Sequence, residues 1–151
     1  WAAAPYPPIF VTVDAVVRCC GHVLLIQRGG DFGNGSWALP GGFLDQNESI
    51  ADAALRELRE ETCLDVTPEA LKSARQGSAL FDHPERSLRG RTITHAFFFD
   101  LPSSELPAIA AFDDAAAARW VPQAELLALE SQFFEDHLLI LDRFLAVFKC
   151  E

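Results

Sequence analysis

Positive charge is scarce in this chain: 12 lysines and arginines stand against 22 aspartates and glutamates in 151 residues, a formal net charge of −10. That scarcity excludes general binding to nucleic acid or to an anionic membrane, because counterion-release affinity needs clustered cations. A polyanionic ligand would have to be met by a metal ion and a few local arginines. Cysteine is sparse too, and Cys19, Cys20, Cys63 and Cys150 show neither paired zinc spacing nor a Cys-Xaa-Xaa-Cys motif. A reducing, cytoplasmic setting is the expectation. There is no signal peptide, lipidation motif or apolar run of membrane-spanning length, so a soluble protein with no membrane partner is expected. Methionine is absent even at the start, where Trp1 stands; this reads as a domain excised from something longer, or a chain that has lost its start or tag.

Half of the residues are apolar, enough for one globular domain with a real core and no second domain. Pro5-Tyr6-Pro7-Pro8 ends a stiff, extended lead-in over residues 1–8, and the domain proper is expected over 9–151. Ile9 to Arg18 and His22 to Gln27, rich in branched aliphatics and flanking Cys20-Gly21, read as paired strands. Gly29 to Gly35 is a polar, glycine-rich loop without the Lys-Ser/Thr ending of a Walker loop, and reads as a flexible connection. Gln76 to Phe81 and Thr92 to Leu101 are two further strands around a basic connection, and Ala118 to Val121 is a short one. Pro122 is expected to open a helix through Leu129. Leu138, Leu141, Leu145 and Phe148 recur at helical spacing, which predicts a C-terminal helix packed on the sheet. His95, in an apolar strand, reads as a structural histidine. Asp14, isolated among apolar residues, either meets a ligand or marks an exposed face.

The most informative stretch is an acidic helix. Residues 49–62 contain no glycine or proline and follow a polar Asp45-Gln46-Asn47 stretch able to supply a cap. At about 100° per residue, Glu57, Glu60 and Glu61 share one flank, whereas Ala51, Leu55, Leu58 and Thr62 lie roughly opposite. The apolar stripe is expected to pack and the acidic one to face outward. Like charges three and four positions apart destabilise a helix by roughly 0.2–0.5 kcal/mol per pair, so stability alone does not explain them. A hard divalent cation does: Mg²⁺ takes oxygen ligands and is usually held by a few carboxylates together with substrate phosphates. The spacing predicts a phosphate enzyme.

Upstream lies Trp37-Ala38-Leu39-Pro40-Gly41-Gly42-Phe43, a tight turn whose glycines allow close approach to a ligand. Taken with Glu48, Arg56, Glu57, Leu58, Glu60, Glu61 and Leu64 after Gly42, this resembles the Nudix box: Gly, five residues, Glu, seven residues, then Arg-Glu-hydrophobic-any-Glu-Glu-any-Gly-hydrophobic. Cys63 stands where that pattern has its second glycine, a small residue at a position that is no ligand. The resemblance implies an α/β fold, the Nudix α/β/α sandwich with a mixed central sheet, and dependence on Mg²⁺ or, alternatively, Mn²⁺. It further implies Glu57 and Glu61 as the main metal ligands, with Glu60 sharing a further ion and the Gly41 carbonyl adding an oxygen. Glu48 and Arg56 then complete the catalytic set, Glu48 by orienting Arg56 or a metal-bound water and Arg56 by pairing with the helix carboxylates. The general base stays open between the box glutamates and a later acidic residue: Asp113, Asp114 or Glu105.

Three arginines gather in Arg86-Ser87-Leu88-Arg89-Gly90-Arg91, and the guanidinium fork suits phosphate oxygens. Arg28, Arg86, Arg89 and Arg91 are the candidates for substrate phosphates or a terminal ribose, with Phe43, Phe81 or Trp37 as an adenine platform. This segment, the Pro5 to Val17 stretch and Ala38 to Phe43 together resemble the Nudix half of bifunctional nicotinamide-mononucleotide adenylyltransferase/Nudix hydrolases. That likeness implies a small-molecule nucleotide substrate, ADP-ribose cleaved to AMP and ribose 5-phosphate. It also implies an N-terminal nucleotidyltransferase domain in the full-length protein, and a homodimer. A non-catalytic ADP-ribose or NAD-metabolite sensor is the alternative, as is hydrolysis of NADH or nucleoside triphosphates.

Overall fold

The computed structural model describes residues 5–149; residues 1–4 of the expected lead-in, Cys150 and Glu151 lie outside the described residues. The chain is organised on a long first strand, β1 (Phe10–Cys19), whose alternation sends side chains to both faces of a sheet. Val13, Ala15, Val17 and Cys19 belong to one buried cluster and Val16 to another, so both faces are covered.

A tight turn at Cys20-Gly21 leads into β2 (His22–Arg28), antiparallel to the end of β1. Both turn residues have positive φ, 51° at Cys20 and 70° at Gly21, as a two-residue hairpin requires. Two short strands follow, β3 (Trp37–Ala38) on β2 and β4 (Gly41–Phe43) antiparallel to the start of β1. The tight turn expected there is therefore built as strand–turn–strand. Along its other edge β1 runs parallel to β6 (Thr92–Asp100), which pairs antiparallel with β5 (Arg75–Phe81). The last strand, β7 (Ala115–Pro122), lies antiparallel on β2 and completes a mixed seven-stranded sheet.

Helix α1 (Ile50–Thr62) and α2 (Pro68–Ala74) cover one face; α3 (His137–Leu145) covers the other. The sandwich expected from the sequence is therefore present. α1 is capped by Ser49, whose Oγ accepts from the Asp52 amide at 3.1 Å, and not by the Asp45–Asn47 stretch. It ends at Cys63 in the left-handed region, φ 48°, a conformation for which the glycine of the family pattern is suited. The helix Pro68–Ala74 was not read from the sequence, although Thr67 caps it and proline occupies its first turn.

The helix expected from Pro122 to Leu129 does not form. Strand β7 continues through Pro122, which pairs with His22, and two short 3₁₀ turns, Gln123–Glu125 and Leu127–Gln132, follow. Among the described residues β7 pairs only with β2, and an edge strand tolerates the missing proline N–H. The C-terminal helix is real but stops at Leu145, where Ala146 turns left-handed at φ 54°, so Phe148 lies beyond it.

Candidate active site

The acidic helix is pinned beside the glycine turn by hydrogen bonds across the fold. Glu61, on the last turn of α1, accepts the Gly41 amide at 2.8 Å and is buried. The expectation that all three acids face outward is corrected here: Glu61 joins Ala53, Ala54, Leu58 and Thr62 on the packed side, because the turn above it supplies a partner. Glu57 lies under Gly42, where an added Cβ would come within 2.7 Å of its Oε1. Gly41 is equally tight, its Cβ position lying 2.2 Å from the Val13 carbonyl and 2.5 Å from Asp14 Oδ1.

Arg56 organises the remaining acids. Its guanidinium reaches Glu48 at 2.7 Å, Glu57 at 2.8 Å and Glu60 at 3.0 Å, and donates to the Phe43 carbonyl at 3.3 Å. The Glu48 partnership raises the Arg56 pKa, and Arg56 in turn holds Glu48 below the usual carboxylate range.

These residues form one wall of a cleft of about 490 Å³, lined also by Arg28, Gly29, Gly30, Gly41, Gly42, Phe43, Arg89, Asp113 and Asp114. Acids and arginines thus face one space. Behind the glycine turn, Asp14 receives the Thr94 hydroxyl at 2.6 Å and lies 3.6 Å from His137 Nε2. The exposed-face reading of Asp14 is overturned, since strand alternation sends it under α3 and it is buried. His137 Nδ1 accepts the Leu39 amide at 2.9 Å, which leaves the proton on Nε2, toward Asp14.

Not every candidate reaches the cleft. Arg28, Arg89 and Phe43 do. Arg86 is buried behind it in a bidentate pair with Asp136, at 2.9 and 2.7 Å, and its Nη1 has no hydrogen-bond partner among the described residues. Arg91 donates to the Asp82 carbonyl at 2.6 Å and is not part of the lining. Trp37 is buried, with Arg119 over its ring, and Phe81 packs against the core on the α3 side; neither faces the cleft. Asp113 and Asp114 line it, whereas Glu105 lies in the loop after β6, its amide bonded to Ser103. His95 stacks on Phe97 at 4.6 Å, as a structural residue does. The sequence reading missed Phe134, Glu135 and His137, which reach the site from the far end of the chain; the only signal was a polar break, Glu135-Asp136-His137, before an apolar helix.

The profile of the NUDIX domain matches residues 8–144. The chain belongs to the Nudix family. This Nudix domain is 33% identical over 98 residues to an ADP-ribose pyrophosphatase of Methanocaldococcus jannaschii, a match covering 65% of the chain and 54% of that protein. Among solved structures, a bifunctional NMN adenylyltransferase/ADP ribose pyrophosphatase of Francisella tularensis, complexed with AMP and a manganese ion, superposes with a TM-score of 0.93 at 42% identity. That superposition covers 97% of this chain and 44% of the other, so the chain spans about half the length of these relatives. The Nudix domain of Shewanella oneidensis NrtR, complexed with ADP ribose, superposes with a TM-score of 0.79 at 26% identity, covering 97% and 94% of the two chains.

The donor chemistry of the cleft fits a divalent cation. Burial pushes the Glu61 carboxyl up to about 8, with Glu57 and Asp14 adding to the rise, and it pushes Asp14 up to about 7. Glu57 is also raised by burial, although Arg56 opposes the shift. Carboxylates buried together with too little positive charge are what a hard cation satisfies. Among the described residues no three acidic, histidine or cysteine side chains converge on one point, and Arg56 holds Glu57 and Glu60. Arg56 takes one oxygen of each, Glu57 Oε1 and Glu60 Oε2, and leaves the other for a cation.

Proposed function

We propose that this domain hydrolyses the diphosphate bond of a nucleoside diphosphate derivative, ADP-ribose above all, giving AMP and ribose 5-phosphate. The observation that carries this reading is the placement of Glu57, Glu60 and Glu61 in the same cleft as Arg28 and Arg89. The relatives named as ADP-ribose pyrophosphatases support it, as does the neighbour solved with ADP ribose.

Glu57, Glu60, Glu61 and the Gly41 carbonyl would hold Mg²⁺ or Mn²⁺. When bound, the cation neutralises charge on the diphosphate and makes water a better nucleophile. The chain's own residues do the rest. Arg28 and Arg89 grip anionic oxygens, and the exposed Phe43 ring offers a stacking face at the cleft mouth. Arg56 fixes the rotamers of Glu57 and Glu60, and the Gly41 amide holds Glu61 Oε1. Glu57, Glu61, Asp113 and Asp114 all line the cleft and stay the candidates for the general base, whereas Glu105 does not line it. Alignment and charge neutralisation supply most of the rate in such a transfer.

The residues 9–151 as the domain, a cytoplasmic location, a homodimer and a fused N-terminal nucleotidyltransferase belong to the same reading. Light scattering tests the dimer. The function itself is tested by assaying the purified domain with Mg²⁺ and with Mn²⁺ against ADP-ribose, NADH, diadenosine polyphosphates and nucleoside triphosphates, beside Glu61→Gln. AMP release from ADP-ribose, lost in the variant, is expected. Tight ADP-ribose binding without AMP would establish a sensor instead, and turnover of triphosphates alone would sink the ADP-ribose assignment.

A further inference from the structure

Two arginines of this cleft stand over one ring, that of Phe134, and one of them, Arg89, also lies 5.1 Å from the Phe43 ring centroid. Phe134 is buried at the end of the chain's last connection, just before Glu135, a non-glycine residue at φ 46°. Its backbone is tied to the site by the Phe134 amide, which donates to the Trp37 carbonyl at 2.8 Å. The ring meets His137 edge-on at 5.3 Å, and the glycine-rich loop closes over it so tightly that a Cβ at Gly33 would lie 2.5 Å from a ring carbon. The guanidinium carbon of Arg28 sits 4.1 Å from the ring centroid and that of Arg89 5.3 Å from it.

We propose that Phe134 is a positioning residue that holds Arg28 and Arg89 together as one anion-gripping pair, which would take the diphosphate oxygens of the substrate. Two like charges side by side repel, and the Arg28 pKa is lowered chiefly by burial and then by Arg89. The quadrupole of the ring offsets part of that repulsion. Glu135 contributes as well, lying 3.4 Å from Arg89. Arg28 uses Nε for the Phe32 carbonyl at 2.9 Å, which leaves its terminal nitrogens for a ligand. Ser87 Oγ, itself bonded to Glu135 at 2.7 Å, takes Arg89 Nε at 3.3 Å and sets the direction of the fork. Arg89 has Glu135 as its anion, whereas among the described residues no carboxylate forms an ion pair with Arg28.

The inference rests on the diphosphate reading above, but its test needs no turnover. The whole chain is titrated calorimetrically with inorganic pyrophosphate in chelator, and separately with Mn²⁺ alone, in wild type and Phe134→Leu. Pyrophosphate affinity should fall about 5- to 20-fold in the variant, the range expected for losing a desolvated cation–π pair, whereas Mn²⁺ affinity stays within about twofold. If ADP-ribose is cleaved, KM rises by a similar factor and kcat stays within about twofold. Should the leucine variant fold poorly, phenylalanine carrying one, two or three ring fluorines at residue 134 keeps the size and weakens the quadrupole stepwise. Affinity for pyrophosphate should then fall stepwise. Equal affinity in Phe134→Leu, a parallel loss of Mn²⁺ binding, no trend with fluorination, or a wild-type chain that does not bind pyrophosphate would each overturn the proposal. Intact pyrophosphate binding without AMP release from ADP-ribose would sink the catalytic reading and leave this one standing.

Discussion

Gly41 donates its amide to Glu61 Oε1 at 2.8 Å, and this bond joins the end of α1 to the strand paired with β1. It fixes one oxygen of a buried acid and leaves the other for the cleft. It also makes the carboxylate, the turn and the sheet a single mechanical unit.

Glu61→Gln keeps the shape and the acceptor oxygen while removing the charge. On the proposed reading, in which Glu61 holds the cation, hydrolysis of ADP-ribose should fall by about 100-fold or more. Circular dichroism should stay native. Retention of wild-type kcat/KM would contradict the assignment of Glu61.

The same acid makes cation-free stability depend on pH. Glu61 rises from 4.5 to about 8 and Asp14 from 3.8 to about 7 on folding, so the folded state holds these protons more tightly than the unfolded chain does. Their contribution is full below the unfolded pKa values and is lost as pH rises through about 7 and 8. In chelator, Tm should decline between about pH 5 and about pH 9, and Mg²⁺ should raise it more at the alkaline end. Glu61→Gln should flatten the profile. A Tm gain from Mg²⁺ that is the same at both ends would contradict this.

Gly42→Ala and Gly41→Ala should fail differently. At Gly42 the added methyl meets the end of the Glu57 side chain at 2.7 Å, so activity drops while denaturant stability changes little. At Gly41 it meets the Val13 backbone carbonyl at 2.2 Å and overpacks the sheet, which should lower stability by about 1–3 kcal/mol in urea titrations. Equal stabilities for the two variants would count against the geometry.

Arg56→Lys keeps the charge but loses the fork that spans Glu48, Glu57 and Glu60. A fall of about 10- to 100-fold in kcat is expected, the size usual for groups that orient metal ligands. Mn²⁺ titration of the variant should show weaker binding in step with the rate. Unchanged binding and rate would show the network to be structural alone.

His137→Phe should destabilise the fold by about 1–3 kcal/mol, because the buried Leu39 amide loses its acceptor. Burial holds the His137 pKa down to about 3, so the imidazole is neutral at all working pH values. Chemical denaturation measures the loss. An unchanged midpoint would show that Leu39 finds another partner.

The acidic helix was legible because its information is local: spacing along α1 is the same in the chain and in the fold. Its burial was not. Projection placed Glu61 with Glu57 and Glu60 on an outward flank, and only the turn at Gly41 gives that carboxylate a reason to be inside. Arg86 shows the converse, an arginine set in a basic loop whose partner, Asp136, lies 50 residues away. Pro122 misled because its helix-opening preference is local, whereas the pairing of β7 with β2 is not. The cap of α2, Thr67 followed by proline, was in plain sight and went unread.

By itself, the amino-acid sequence determined the Nudix box, the divalent-cation chemistry its carboxylates favour, five of the seven strands and the helices α1 and α3, since each rests on periodicity or spacing over a few residues. Only the tertiary structure decided which arginines share the cleft with the acids, that Asp14 and His137 support the glycine turn, and that Phe134 joins Arg28 to Arg89. Those relationships link residues tens of positions apart, and their energies come from burial and charge proximity, which exist only once the sheet has brought both ends of the chain together.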